Sequence, residues 1–299
     1  MNNRMRRPRA TIWIGLALAL PALTGCFYTT RKVKQAKMPS VVLNATADQL
    51  IAKLNQQYDT IRSLNATVEF RATTGGPRQG KEKTYTSFSG YILMRKPESI
   101  RVLGFVPFIH TIAFDMASNG DTFKLIIPSK NKAIEGSNTV TKQSPNQLEN
   151  MRPNVFFDSL LIKAIDPNEL YTLTADTDTK IDPKTKKLML EPEYDLTVLH
   201  REGSSNLLAP VRVIHFSRVD LRPYEEDIYD KDGAIETRAL YGPLQTFGAQ
   251  QFPATITIER PLQEYQILIS LQKLIVNQPL TDDQFELKIP PSTQIQNLD

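Results

Sequence analysis

The sequence predicts a mainly β, α+β domain: a strongly curved antiparallel sheet, or half-open β-barrel, with helices over its concave apolar face. Three observations carry this expectation. Most of the chain alternates apolar and polar residues at the two-residue period of half-buried strands. Those runs are joined by turns too short for parallel crossovers, which need a dozen residues or more. Two stretches, 46–64 and about 144–165, switch instead to helical spacing, and each would need an apolar sheet face to lie on.

In chain order, residues 1–10 hold Arg4, Arg6, Arg7 and Arg9 and no acid, and Ile12 to Leu20 is almost wholly apolar. A basic start, a short apolar run and small residues before a break form an export signal over 1–25. The run is shorter than the ~20 apolar residues a spanning helix needs. Leu23, Gly25 and Cys26 resemble a bacterial lipobox, which implies that Cys26 is lipidated and becomes the first mature residue. Cys26 is the only cysteine, which argues against disulfides although an exported compartment would allow them.

The 36 Lys and Arg outnumber 32 Asp and Glu, but four of the basic residues lie in 1–25, so the remainder balances at 32 against 32. That balance removes any compositional case for nucleic acid. Residues 26–45 read as a polar tether, with Arg31, Lys32, Lys34 and Lys37 placed to meet anionic headgroups or simply water. A single domain is expected over 46–290, with 291–299 as a tail.

Thr46 and Gln49 make a capping box, and Leu50, Ile51, Leu54, Tyr58, Ile61 and Leu64 share one helical face. Strands follow at "ATVEFRA", "TYTSFSGYILM", "SIRVLGF", "TIAFDM" and "DTFKLII", the last two joined at Asn119-Gly120, a type I′ hairpin signal. Ser144-Pro145 opens a helical segment that Pro153 breaks, and "NVFFDSLLIKAI" resumes it. Later strands include "KLMLEPEYDLTVLH", "APVRVIHFSRVDL", "ATITIER" and "EYQILISLQKLIV".

Catalytic patterns are missing. His110, His200 and His215 form no metal-type pair, and there is no G-x-S-x-G elbow. His215 falls in register with Val211 and Val213, as a core or rim histidine. Asp176, Asp178 and Asp182 lack the glycine and glutamate of a calcium loop and read as a solvated turn. Glu225, Glu226 and Asp227 read as an exposed strand edge. No enzyme, metal or cofactor is expected.

The order of parts resembles the lipoprotein-localisation superfamily, the LolA/LolB-like proteins. The resemblance rests on the amphipathic helix, a meander with "GYILMRKPESIRV", a central helical pair, and "FPATITIE…LQKLIVNQPLTDDQFELKIP". It implies a half-open barrel closed by helices over a cavity that accepts the acyl chains of other lipoproteins. The lipobox and "IRVLGFVPFIHTIAF" are similar to the outer-membrane receptor branch, in which a proline followed by an exposed apolar residue probes the bilayer. Pro107 and Phe108, flanked by Phe105, Val106 and Ile109, are the matching positions; the five residues either form that tip or turn inward as core. Phe70, Phe114, Phe123, Leu160 and Ile269 would line the cavity, whose residue pattern is the same as that of a packed core. The second half departs from the receptor pattern through extra hairpin-like material at about 222–250.

The resemblance implies a monomer on the periplasmic face of the outer membrane that localises lipoproteins there. Its partners would be acylated lipoproteins, a periplasmic carrier and outer-membrane lipid, with no nucleic acid. The alternative is a barrel lipoprotein that senses envelope lipid, or binds a protein, without transferring anything.

Overall fold

A computed structural model describes residues 30–138, 151–182, 185–203 and 206–298. Cys26, the signal and the segment 144–150 lie outside them. Helix α1 spans Ala47–Thr60 and opens on the expected box. Thr46 Oγ1 accepts from the Gln49 amide at 3.3 Å, and Gln49 Oε1 accepts from the Thr46 amide at 2.9 Å. The helix stops short of residue 64. From Leu64 the burial alternates through Ala66, Val68 and Phe70, and β1 (Ser63–Gly76) takes over. Ile61 and Leu64 therefore bury in the sheet core rather than on the helix. Pairing on both sides of β1 outweighs the modest helical propensity of those residues.

The remaining strands of the first half are β2 (Lys81–Thr84), β3 (Phe88–Arg95), β4 (Ser99–Phe105), β5 (Ile112–Ser118), β6 (Thr122–Ile127) and β7 (Lys132–Ser137). Helix α2 spans Pro153–Leu160, with Pro153 in its first turn. Proline there opens the helix, because its missing N–H has no partner to lose. The helical segment expected before Pro153 lies mostly outside the described residues, and Met151 and Arg152 are not helical. At the Asn119-Gly120 turn only the glycine takes a positive φ, 104°. The type I′ expectation therefore fails, and Asn119 Oδ1 instead accepts from the Asp121 and Thr122 amides.

The second half holds β8 (Leu170–Ile181), β9 (Leu188–Arg201), β10 (Leu208–Ser217), β11 (Arg222–Tyr229) and β12 (Ile235–Tyr241). After them come β13 (Leu244–Phe247), β14 (Gln250–Pro253), β15 (Thr255–Arg260), β16 (Tyr265–Val276) and β17 (Gln294–Asn297). One 15-stranded sheet runs β17-β7-β6-β5-β4-β3-β1-β16-β15-β12-β11-β10-β9-β8, with β2 beside β1. Every pair in it is antiparallel except β17 on β7. The ends, β17 and β8, do not meet, so the sheet is open where a half-open barrel was expected.

Three further readings change. The 291–299 tail contains β17, which pairs with β7. Residues 222–250 do form hairpins, β11 with β12 and β13 with the following β14, but β11 and β12 are interior strands of the large sheet rather than material added beside it. The aspartates taken as a turn lie in or beside β8, a strand the sequence pattern did not reveal.

Two cores sit on the concave face. The large one joins β1, β3–β6, β15 and β16 to Phe156, Phe157 and Leu160 of α2. Gly90 and Gly104 pair across β3 and β4. A Cβ on Gly90 would lie 2.4 Å from the Phe70 ring, and one on Gly104 would lie 2.4 Å from that of Phe114. Bare backbone at both positions is what lets these rings lie flat on the strands. The small core joins Leu50 and Leu54 of α1 to Tyr194, Leu196 and Val198 of β9, and to Ile214 and Phe216 of β10.

Candidate functional site: a seam cleft and an exposed loop

Where the two cores adjoin, α1 and the sheet leave a cleft of about 610 Å³. Its apolar lining draws Leu54 and Phe216 from the small core and Leu160, Leu161 and Phe252 from the large one, with Tyr58 and Tyr241 between. Lys53, Asp220 and Arg222 stand at its rim. Lys53 Nζ donates to the Leu221 carbonyl at 3.0 Å, tying α1 to the β10–β11 turn. The Arg222 guanidinium is held by the Asp220 carboxylate. Asn55 donates to the Ile165 carbonyl at 2.9 Å and accepts from the Ile165 amide at 2.8 Å, fixing α1 to the segment after α2.

A polar network underlies this seam. Arg212 donates to the Lys163 and Ala164 carbonyls at 2.7 and 3.0 Å, and its Nη1 lies 3.4 Å from Glu226 Oε1. The Tyr241 hydroxyl donates to Glu226 Oε2 at 3.3 Å. Burial raises the Glu226 carboxyl to about 7, against the pull of Arg212. Burial likewise raises Asp158, on α2, to about 6. Glu226 and Asp227 are 2% and 3% exposed, so the expected exposed acidic edge is corrected. β11 lies between β10 and β12, and Arg212 and Arg238 match its charges.

On the convex face His215 Nδ1 lies 2.8 Å from Asp195 Oδ1, and its Nε2 faces Asp227 Oδ2 at 3.9 Å. Burial opposes the imidazole's charge, but the two aspartates outweigh it and push the group up to about 10. Ligand-type atoms of Glu193, Asp195 and His215, and of His215, Glu225 and Asp227, converge within 4.8 Å. Arg238 already holds both oxygens of Asp227, at 2.7 and 2.8 Å, and reaches Glu225 at 2.9 Å. The arrangement is a self-matched ion network: carboxylates facing an imidazolium and a guanidinium.

The loop 105–109 is a tight turn between β4 and β5. Phe105 pairs with Ile112, and the Val106 amide donates to the Thr111 carbonyl at 2.8 Å. Val106 and Pro107 are half-buried. Phe108 is 93% and Ile109 66% exposed. Phe108 holds φ +70° and His110 φ +52°, a region bulky residues rarely adopt. That backbone turns the Phe108 ring away from the sheet. The loop and the cleft lie at opposite ends of the strands: β4 runs towards the loop, whereas β10 ends, and β11 begins, at the cleft.

Of the residues expected to line a cavity, only Leu160 borders the cleft. Phe70, Phe123 and Ile269 are buried in the large core. Phe114 packs against Phe88 and Phe70, at centroid distances of 6.0 and 6.3 Å. Leu54 was visible on the helical face, but the register that set Val211, Val213 and His215 together as a core or rim face points the wrong way: Ile214 and Phe216 are the buried positions of that strand. Phe252 gave no signal, because the four-residue β14 is too short to show a period.

No protein-family model and no curated protein matches the sequence. Solved structures do match the fold. A LolA superfamily protein from Nitrosomonas europaea superposes with TM-score 0.50 at 15% identity, over 82% of this chain and 99% of that one. A DUF1329 family protein from Desulfovibrio piger superposes with TM-score 0.51 at 16% identity, over 79% of this chain and 94% of that one. The chain therefore has a LolA-superfamily-like fold, a likeness of architecture. No helix among the described residues is long and apolar enough to cross a membrane.

Proposed function

We propose that this chain is a lipid-anchored envelope protein, held at the periplasmic face of the outer membrane through Cys26. In this reading it binds acyl chains of lipoproteins in the seam cleft and helps to localise them, acting as a monomer alongside a periplasmic carrier. The observation that carries the reading is the Phe108–Ile109 tip, which displays a phenylalanine at 93% exposure on a constrained turn. An apolar tip of this size suits insertion at a membrane interface without spanning it. The lipobox-like Leu23, Gly25 and Cys26 support the anchor, and the LolA-superfamily-like fold supports the lipid role. Burying acyl methylenes contributes about 0.8 kcal/mol each, so transfer down a series of better-burying sites needs no chemical energy.

The size of the cleft favours a second reading, in which the protein senses envelope lipid or binds a partner and passes nothing on. The cleft holds about 610 Å³, whereas a single sixteen-carbon chain at interior packing density fills about 450 Å³. That is room for one chain, while a bacterial lipoprotein carries several. Depleting the protein and fractionating the envelope separates the two readings. Localisation predicts that other lipoproteins accumulate away from the outer membrane, and that a Phe108→Glu copy fails to rescue them while folding normally. Unchanged fractionation on depletion leaves the sensing role.

A further inference from the structure

The two edges of the sheet are finished differently. At one, β7 is covered by β17, a strand from the C-terminal segment. At the other, β8 ends the sheet, and no described segment pairs with its outer edge. Natural sheets blunt such edges with short strands, prolines, bulges or lysines, because unpaired N–H and C=O groups recruit other chains. β8 has 12 residues, no proline, and an unbroken register from Leu170↔Leu199 to Ile181↔Leu188. Its one lysine, Lys180, sits next to the end.

The two faces of β8 are chemically distinct. Tyr171, Leu173 and Ala175 pair with Val198, Leu196 and Tyr194, so they continue the concave apolar face past the small core. Thr174, Asp176 and Asp178 pair with Asp195, Glu193 and Glu191 on the convex face. Like charges directly opposite are unfavourable in a strand pair. On β9 each acid has a partner: Asp195 has His215, Glu193 has Tyr224, and Glu191 has Lys180 at 2.9 Å. Asp176 and Asp178 accept only from the amides of the next residues, Thr177 and Thr179. They are acids without a cation among the described residues.

We infer that β8 is a docking edge for an extended peptide in which apolar and basic residues alternate. The peptide would add one strand to the sheet. Its apolar side chains would fall beside Tyr171, Leu173 and Ala175, and its lysines or arginines beside Asp176 and Asp178. Backbone pairing supplies affinity in this mode, and the alternating faces supply specificity. A second copy of the chain fits poorly. An antiparallel β8–β8 register that sets Lys180 against Asp176 sets Asp178 against itself, and one that sets Lys180 against Asp178 sets Asp176 against Asp182. The inference is independent of the cleft and of the 105–109 loop.

The test is fluorescence anisotropy of the purified mature protein with a labelled seven-residue peptide alternating leucine or valine with lysine. Binding is expected, weakened at least tenfold between 50 mM and 500 mM salt, and absent for the same peptide with glutamate in place of lysine. N-methylating alternate peptide amides should abolish binding in one phase and spare it in the other, since only one set of amides faces the edge. The double variant Asp176→Lys, Asp178→Lys changes exposed side chains only. It should lose the lysine peptide by at least tenfold and acquire the glutamate peptide. The inference is overturned if the lysine peptide does not bind, if both N-methylated phases bind alike, or if the double variant keeps its preference.

Discussion

The two cores on the concave face are built on different terms. Under α2, rings of Phe70, Phe88, Phe114 and Phe156 interlock at centroid distances of 5.4 to 6.4 Å, and two glycines make room for them. Under α1, Leu50 and Leu54 are the only fully buried helical side chains. Ala47 and Ile51 add partly buried contacts to the small core and Tyr58 one to the large core, and polar ties run through Asn55, Lys53 and the Tyr171 hydroxyl on Asp48. The cleft sits on the boundary between them. A packed half that fixes the architecture beside a lightly held half at the cleft is the arrangement expected where an element must yield to admit a ligand, because mobile elements come from the low-stability end of a structure.

Truncating one side chain in each half gives the largest effect and breaks the comparison if it is wrong. Phe156→Ala removes a ring 1% exposed and should cost about 3–5 kcal/mol in urea unfolding. Leu50→Ala should cost about 2–3 kcal/mol. The sharper readout is amide exchange. Leu50→Ala should accelerate exchange in α1 and at its β9 and β10 contacts while β3–β6 keep their protection, whereas Phe156→Ala should lower protection throughout. Equal acceleration across the sheet in both variants would mean that the two cores open as one cooperative unit.

The seam between the halves buries charged groups, Glu226 and Arg212 among them, and pH probes it next. Asp158 has its carboxyl raised by burial from 3.8 to about 6. The folded protein thus holds this proton more tightly than the unfolded chain does. Stability from this group is fully present below pH 3.8 and falls as pH rises through 6. At pH 7.5 the charged carboxylate is a net cost, at most about 3 kcal/mol for a shift of this size. Asp158→Asn should therefore raise the unfolding midpoint at pH 7.5 and leave it unchanged at pH 3.5. A variant destabilised at pH 7.5 would show that Asp158 has a favourable charged partner in the seam.

The packed half was largely legible in the sequence and the seam was not. Alternation at Val68, Phe70, Phe114, Phe123 and Ile269 marks inward positions, because the strand period is fixed by the pleat. That pattern says which residues face in, not whether space remains between them, so four of the five residues expected around a cavity proved to be core or packed against it. The loop 105–109 carried its signal in composition, an apolar run around a proline where a turn must fall. β8 carried none: its Thr-Asp alternation has little apolar content, since an edge strand buries almost nothing. Glu226 and Asp227 were misplaced for the opposite reason. Charged residues are seldom buried unless paired, and their partners Arg212 and Arg238 are 14 and 11 positions away.

The smallest expected effect separates how α1 forms from how it is held. The Thr46–Gln49 box satisfies two amides at the helix start, and replacing such a cap with alanine costs about 1 kcal/mol. If α1 is lightly attached, Thr46→Ala should pass most of that cost to local opening. Amides in the first half of α1 should then exchange severalfold faster, and the global unfolding midpoint should move little. The same variant should also weaken binding of a sixteen-carbon fatty acid probe to the cleft if a formed α1 is required as its wall. Binding should strengthen instead if α1 must lift to admit the chain, since a helix already part-open lowers that barrier. Either sign fixes the role of α1 as wall or as door; faster exchange extending into β3–β6 would show that α1 is bound into the large core after all.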